Sequence, residues 1–265
     1  MTTAAVVGLG DISALHLAAI QASPSIELVA VCDVDPVRLR AVSEAFGVPG
    51  FADHRALLAA IRPDVVHVTT PHNQHAPVAL DALAAGSNVL TEKPVAHTVA
   101  AAEELLERAK LASGKIGVVL QNRYNPTSVA LREVLTSGRL GRIHGARAAV
   151  WWSRPADYYT RAPWRGQWQQ SGGGVLINQA IHTLDLLLWL LGPASEVHGV
   201  AANTVHPNVE VEDTATIVLK HAGGASSTLF ATNTHHTNDD VELIIDGEFG
   251  RAQLKGGRAE LITAE

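Results

Sequence analysis

Along the first half of the chain, short apolar runs alternate with segments whose apolar residues recur at three- and four-residue spacing. The run at 4–7 passes through Gly8 and Gly10 into a helical pattern carrying Ile12, Leu15, Ala19 and Ile20. A second run, IELVAVCD, ends at Asp33; a helix over 36–46, the strand DVVHVTT, a helix over 75–85, the strand NVLTE, a helix over 99–112 and the strand KIGVVL follow. Repeated strand–helix units with β-branched strands predict a parallel, doubly wound α/β sheet of the Rossmann kind over residues 1–122. The second half reads differently. RIHGARAAVWW, SEVHGVAANT, VEDTATIVLK, ASSTLFATNT, DDVELIID and GRAQLKG, with turns at Gly223-Gly224 and Asp246-Gly247, predict an open, mostly antiparallel sheet in an α+β domain over residues 123–265.

One stretch in that half, SGGGVLINQAIHTLDLLLWLLG, reads as a greasy helix over 175–191 that nevertheless carries polar residues. At about 100° per residue, Asn178, His182 and Asp185 would share one stripe, while Leu184, Leu187, Leu188 and Leu191 mostly fall elsewhere and can face a core. Taken alone, the pattern describes a core histidine bonded to Asn178 or Asp185.

Composition narrows the function. With 265 residues, 47% hydrophobic and 17% charged, the chain suits two ordinary globular domains. A formal charge of −6 without a basic stripe argues against nucleic acid as a partner. The longest apolar run, LLLWLL, is too short to cross a membrane. The N-terminus lacks the basic start and cleavage site of a signal peptide, and the single Cys32 excludes an internal disulfide framework, so a cytoplasmic location is expected.

The strand, glycine turn and helix at GLGDIS form a dinucleotide fingerprint in which Ser13 fills the third glycine site with a small residue. Gly8, Gly10, Asp11 and Ile12 are its candidate pyrophosphate cradle. Asp33, roughly twenty residues on, suits the two ribose hydroxyls of NAD and repels a 2′-phosphate; Arg38 keeps NADP open. Other strand ends carry Thr70, Pro71, His72, Asn73 and His75, then Glu92 and Lys93, then Gln121, Arg123 and Tyr124, where a ligand of such a sheet would lie.

At TEKP, residues 91–94, the chain resembles the glucose-fructose oxidoreductase and inositol dehydrogenase (Gfo/Idh/MocA) family. GLGDIS, CDVDP, TTPHNQH, NVLTEKP, QNRYNP, GGGVLINQAIH and VEVEDTA resemble that family's landmarks, in its order and over nearly the whole chain. The resemblance implies an N-terminal Rossmann domain and a C-terminal α+β domain whose open sheet supports substrate binding and contacts in a homodimer or homotetramer. It implies that Lys93 lies beside the nicotinamide and the reacting hydroxyl, and that His182 exchanges the substrate proton. Asn178 stands where the family often has Asp, and Ala180 where it often has Gly; Asn178 can hold a sugar hydroxyl or orient His182 but adds no charge. Family members usually run several tens of residues past Glu265, adding a helix and a last strand, so the chain is expected to be either a truncated version or a compact variant.

Chemistry agrees with these assignments: oxidising a secondary alcohol needs a hydride acceptor that no side chain supplies, a proton acceptor of near-neutral pKa, and a cation for the developing alkoxide. His182 and Lys93 suit the last two roles. The segment SRPADYYTRAPWRGQWQQSGGG gathers Tyr159, Trp164, Arg165 and Trp168, a composition suited to sugar faces and hydroxyls, and Arg123, Tyr124, Trp164, Arg165, Asn178 and His182 are the candidate substrate residues. No metal is expected, since adjacent His235 and His236 would point to opposite faces of a strand and no acid cluster completes a shell with His198, His206 or His221. The expected activity is NAD-dependent hydride transfer to or from a secondary alcohol or ketone of a sugar, cyclitol or sugar nucleotide. An NAD-dependent glycosidase using transient oxidation and a non-catalytic NAD-binding homologue are the competing readings.

Overall fold

The computed structural model describes residues 1–263, and the chain divides into two compact units, Met1–Val119 and Leu120–Glu265. The first runs β1 (Thr2–Val7), α1 (Ser13–Ala22), β2 (Ile26–Cys32), α2 (Pro36–Phe46), β3 (Gly50–Phe51), α3 (His54–Ile61), β4 (Val65–Val68), α4 (His72–Ala84), β5 (Asn88–Thr91), α5 (Val99–Leu111) and β6 (Ile116–Val118). Its six strands are all parallel, in the order β3-β2-β1-β4-β5-β6. Alternation along β1 explains the two helical layers: Ala4 and Val6 pack with Leu17 and Ile20 of α1, whereas Ala5 and Val7 pack with Leu57, Val78 and Leu105. The sequence pattern misses β3 and α3, although Asp53, whose side chain accepts from the Ala56 N–H at 2.9 Å, is an ordinary cap signal. It also misjudges the inner stripe of α1. Ser13, His16, Leu17 and Ile20 are buried, while Ile12 and Leu15 face out, so the stripe includes a histidine.

The second unit contains α6 (Pro126–Thr136), β7 (Ile143–Trp151), α7 (Ala156–Thr160), α8 (Trp168–Ser171), α9 (Val175–Asn178), α10 (Ile181–Leu191), β8 (Ala194–Ala202), β9 (Thr214–His221), β10 (Ser226–Thr232), β11 (Glu242–Gly247), β12 (Gly250–Lys255) and β13 (Arg258–Thr263). The strands form one seven-stranded sheet, β13-β12-β11-β7-β10-β9-β8, antiparallel except at the central pair β7 and β10. One face is apolar: Ala148, Val150, Leu229, Ala231, Leu243 and Ile245 pack with Leu131 of α6 and Leu186 and Leu187 of α10. On the other face Val200, Val218 and Trp151 are exposed, with the Trp151 ring 4.3 Å from that of Phe230.

Four expectations are corrected here. The helix over 175–191 is broken at Gln179-Ala180, where the chain from Trp168–Asn178 into Ile181–Leu191 bends by 58°. The Ala180 N–H bonds the Val175 carbonyl, five residues back, and the buried Gln179 amide turns into side-chain bonds that a continuous helix would not allow. Asp246 and Gly247 are paired residues of β11, and the turn into β12 lies at Glu248-Phe249. His235 and His236 lie beyond β10, outside any strand, with rings 6.0 Å apart rather than on opposite faces. The aromatic segment is not a plain loop but carries α7, α8 and a 3-10 turn at Pro163–Gly166. The sequence pattern also stops short of β13, which pairs with β12 across the Gly256-Gly257 turn.

Candidate active site

In the first unit the candidate residues collect at the C-terminal ends of β1, β2, β4 and β5. Gly8 has φ +92°, and a Cβ there would lie 2.7 Å from the Thr70 nitrogen, so only glycine permits the close passage of these two strand ends. Gly10 is different: nothing lies within 4 Å of the place its Cβ would take, leaving open ground before α1. The Ser13 hydroxyl donates to the Gly10 carbonyl at 2.6 Å and closes the turn from behind. Asp11 and Ile12 lie exposed where α1 begins, and no side chain caps that helix. An open glycine turn leading into an uncapped helix start fits a dinucleotide's pyrophosphate, which free N–H groups and the helix dipole favour.

Asp33 is 6% exposed and already aimed. Its Oδ2 accepts the Leu9 N–H at 2.6 Å, and its Oδ1 accepts the Asp35 N–H at 2.7 Å and an Arg38 guanidinium N–H at 3.0 Å. Arg38 also reaches Asp35 at 3.1 Å. Cys32 beside it is no nucleophile: burial, with Asp53 and Asp33, pushes its thiol up to about 12.

After β4, the Thr69 hydroxyl donates to the Gly8 carbonyl at 2.5 Å, and the buried Thr70 hydroxyl has no hydrogen-bond partner among the described residues. Pro71 precedes α4, whose first turn holds His72 and a half-buried Asn73. His75 is 1% exposed, its Nδ1 2.6 Å from the Pro94 carbonyl and its Nε2 2.8 Å from the Thr70 carbonyl. Burial lowers its pKa despite those two acceptors. Its ring thus ties two strand ends together. Lys93 follows β5, half-buried, before a cis bond to Pro94.

The sequence reading passes over a buried string behind Lys93. His16 Nε2 lies 3.0 Å from Glu92 Oε1, and His16 Nδ1 lies 3.0 Å from His67 Nδ1. The Glu92 Oε2 accepts the Lys93 backbone N–H at 3.3 Å. No local pattern could reveal a contact between residues 51 apart; the available signal is a histidine on the buried stripe of the first helix.

In the second unit, Gln121, Arg123 and Tyr124 form a 3-10 turn, with Tyr124 83% exposed. Arg123 grips Asp185 by two bonds, Nε to Oδ2 at 2.8 Å and a terminal nitrogen to Oδ1 at 2.5 Å. Both Asp185 oxygens are thus engaged by an arginine that the sequence reading did not pair with it. The bend at Gln179-Ala180 puts Asn178 at the end of α9 and His182 in the first turn of α10, so the single stripe predicted for them does not exist. The Glu212 side chain holds α9 by accepting the Gly174 and Leu176 N–H groups at 2.8 and 3.1 Å, and its carbonyl accepts from Val175 at 2.9 Å.

Tyr158, not singled out by the sequence reading, is the hub of this region. Its hydroxyl oxygen accepts from the Asn178 amide at 3.1 Å and the Gln179 amide at 3.0 Å, and the Asn233 amide donates to the Gln179 carbonyl at 3.0 Å. The Arg165 guanidinium lies 4.2 Å from the Tyr158 ring centre and 5.7 Å from that of Trp164. Trp168 is half exposed and donates to the Glu210 carbonyl at 3.0 Å. Tyr159 is buried, its ring centre 5.0 Å from that of His206, so the four residues of the aromatic segment do not make one open platform. The His206 Nδ1 lies 3.1 Å from Asp213, which is fully buried. Among the described residues no group of three or more His, Cys, Asp or Glu side chains is arranged to hold a metal ion, and no single helix is long and apolar enough to cross a membrane.

An open glycine turn, an acid at the end of β2 and a parallel sheet define an NAD-binding oxidoreductase, and comparison with known proteins agrees. Residues 2–120 match the oxidoreductase family with an NAD-binding Rossmann fold, and residues 128–253 match the Gfo/Idh/MocA C-terminal domain. The chain belongs to the Gfo/Idh/MocA family. Inositol 2-dehydrogenase of Rubrobacter xylanophilus is 30% identical over 253 residues, 94% of this chain and 70% of that protein. D-glucoside 3-dehydrogenase of Escherichia coli is 33% identical over 193 residues, 71% of this chain and 53% of that protein. Among solved structures, the WlbA dehydrogenase of Bordetella pertussis, in complex with NADH and UDP-GlcNAcA, is 33% identical, with a TM-score of 0.95 over 100% of this chain and 83% of that one.

Proposed function

We propose that this protein transfers a hydride between NAD and a secondary alcohol or ketone of a carbohydrate, with a sugar nucleotide as the favoured substrate. The observation that carries the reading is Lys93, half-buried at the end of β5 in the same unit as the open Gly8-Gly10 turn and the pre-aimed Asp33. Bound NAD would supply the hydride acceptor that the side chains lack. Asp33 is assigned the ribose hydroxyls, and the Gly10 turn with the start of α1 the pyrophosphate. Thr70, Asn73 and Gln121 are assigned to the rest of the cofactor. Lys93, as an ammonium, stabilises the oxyanion that forms as the hydroxyl loses its proton. His182 accepts that proton, and Asn178, anchored on Tyr158, holds a substrate hydroxyl. Likeness to WlbA, whose structure holds UDP-GlcNAcA, supports the sugar-nucleotide choice. A homodimer or homotetramer in the cytoplasm, associating through the face that exposes Val200 and Val218, belongs to the same reading.

The test is a panel of sugars, cyclitols and sugar nucleotides, including a UDP-linked uronic acid, followed by the absorbance of reduced nicotinamide with NAD and with NADP. Sustained accumulation of NADH with a sugar nucleotide is expected. Turnover of a glycoside without net NADH would favour the glycosidase, and NAD binding with no turnover of any member would reject the enzymatic reading.

A further inference from the structure

Arg154 is fixed along its whole length. Its backbone N–H donates to the Asn233 carbonyl at 2.8 Å, and its own carbonyl accepts from His206 Nε2 at 2.9 Å. The guanidinium lies 5.0 Å from the Trp152 ring centre and 5.4 Å from that of Tyr158. Nη1 donates to the Ser153 carbonyl at 2.7 Å and to the Asn238 side-chain oxygen at 2.9 Å, which uses both of its hydrogens. Among the described residues the N–H groups of Nε and Nη2 meet no acceptor, and no carboxylate pairs with this cation. Arg123 and Arg251 in the same unit each grip an aspartate instead. A half-buried guanidinium, already ordered and with one edge unused, is a built receptor for an oxyanion. A carboxylate or phosphate takes that edge by two parallel bonds.

Tyr158 has a donor to give as well. A phenolic oxygen carries two acceptor sites, and the Asn178 and Gln179 amides fill both. The hydroxyl proton points away from them, and no described residue accepts it. The Arg165 guanidinium, 4.2 Å from the Tyr158 ring centre, adds a second positive charge to the cluster. We infer that Arg154 and Tyr158 bind an oxyanion of the substrate, so that the carbohydrate acted on is an acidic one. Nε and Nη2 of Arg154 take two oxygens of the anion, and the Tyr158 hydroxyl donates to a sugar oxygen. The inference rests on the reading of Asn178 as a substrate residue, because the bond from Asn178 to Tyr158 joins this cluster to the proposed site. It goes further by requiring negative charge on the substrate. The carboxylate of a uronic acid and the diphosphate of a sugar nucleotide share that chemistry.

Binding tells the two sources apart without requiring turnover. Calorimetry on the full chain saturated with NADH is run with UDP-glucuronate, UDP-glucose, free glucuronate and glucose. If the anion is the carboxylate, UDP-glucuronate binds roughly 10–100-fold more tightly than UDP-glucose, and Arg154→Met brings that ratio close to one. If it is the diphosphate, the two UDP-sugars bind alike and Arg154→Met weakens both by roughly 10–100-fold. Tyr158→Phe should weaken the same ligands by roughly 3–10-fold. Should Arg154→Met not fold, Arg154→Lys, which keeps the charge and the stem but not the fork, takes its place with a loss of about tenfold. Unchanged affinity for every acidic ligand in a folded Arg154 variant, or no binding of any acidic ligand by the unaltered protein, overturns the inference. Tight binding of an acidic ligand without hydride transfer would instead sink the assigned reaction and leave the receptor standing.

Discussion

Arg123 and Asp185 meet in a two-pronged ion pair that ties the 3-10 turn at the start of the second unit to the middle of α10. Asp185 is 11% exposed and Arg123 37%, so the bond is partly screened. Asp185→Asn should therefore cost about 1–2 kcal/mol, seen as a lower melting temperature. The pH profile of turnover per folded molecule should not move, because this carboxylate serves an arginine. A displaced profile at unchanged stability would return Asp185 to the proton acceptor.

Cofactor choice should follow Asp33. Its buried carboxylate, with Oδ2 on the Leu9 N–H, meets a 2′-phosphate as a like charge, so calorimetry is expected to show NAD binding at least about tenfold more tightly than NADP. Asp33→Ser frees Arg38 from its 3.0 Å bond and should narrow or reverse that ratio. Tighter NADP binding by the unaltered protein would contradict the assignment.

His182→Ala should lower the oxidation rate by roughly 10²–10⁴-fold while NAD affinity stays nearly unchanged. A histidine that served only packing would behave oppositely, melting early and keeping its rate per folded molecule. Rates, calorimetric NAD affinity and melting curves on one preparation separate the two.

Acid should weaken the second unit through Asp213. Burial raises this carboxyl, but the Val205 and Thr204 backbone N–H groups, the Thr204 hydroxyl and His206 outweigh that and hold it below its ordinary value. Its stabilisation is thus complete above the unfolded value of about 3.9 and is lost as pH falls through the lower native value. Melting temperature against pH should drop below about pH 4. Asp213→Asn should be less stable at neutral pH, by about 1–3 kcal/mol, with a shallower acid limb.

Gly174→Ala should be among the most damaging small substitutions in the chain. A Cβ there would overlap the Glu212 carbonyl, which with the Glu212 side chain holds α9 in place. A loss of about 3 kcal/mol or more is expected in chemical denaturation. A folded variant of wild-type stability would show that the backbone yields there at little cost.

How much of this could be read in advance depended on whether the cause was local. Helix α2 was legible to the residue, since Asp35 accepts two N–H groups at its start, Pro36 opens it and Gly47 closes it with φ 65°. The glycine turn, Asp33 and the lysine after β5 were equally plain, because each sits where an apolar run stops. The break before α10 was not. No proline or glycine marks it; Gln179 is pulled out of the helix by Tyr158 and Asn233, which lie 21 and 54 residues away in sequence. The commitment of Asp185 to Arg123 and the contact of His16 with His67 were hidden for the same reason, since each partner arrives from another element.

The parallel pairing of β7 with β10 at the centre of the second sheet has a consequence for synthesis. Thr228 lies opposite Arg147, and everything from α7 to β9 is threaded between those strands. Ribosomes add about 5–20 residues per second, so a nascent β7 waits on the order of several seconds before β10 leaves the exit tunnel, and longer for β11 on its other side. Until then Ala148 and Val150, both buried in the finished sheet, have no neighbouring strand to cover them. Low temperature, slow translation or a chaperone holding the emerging chain should therefore decide its yield far more than changes to the glycine turn near the N-terminus.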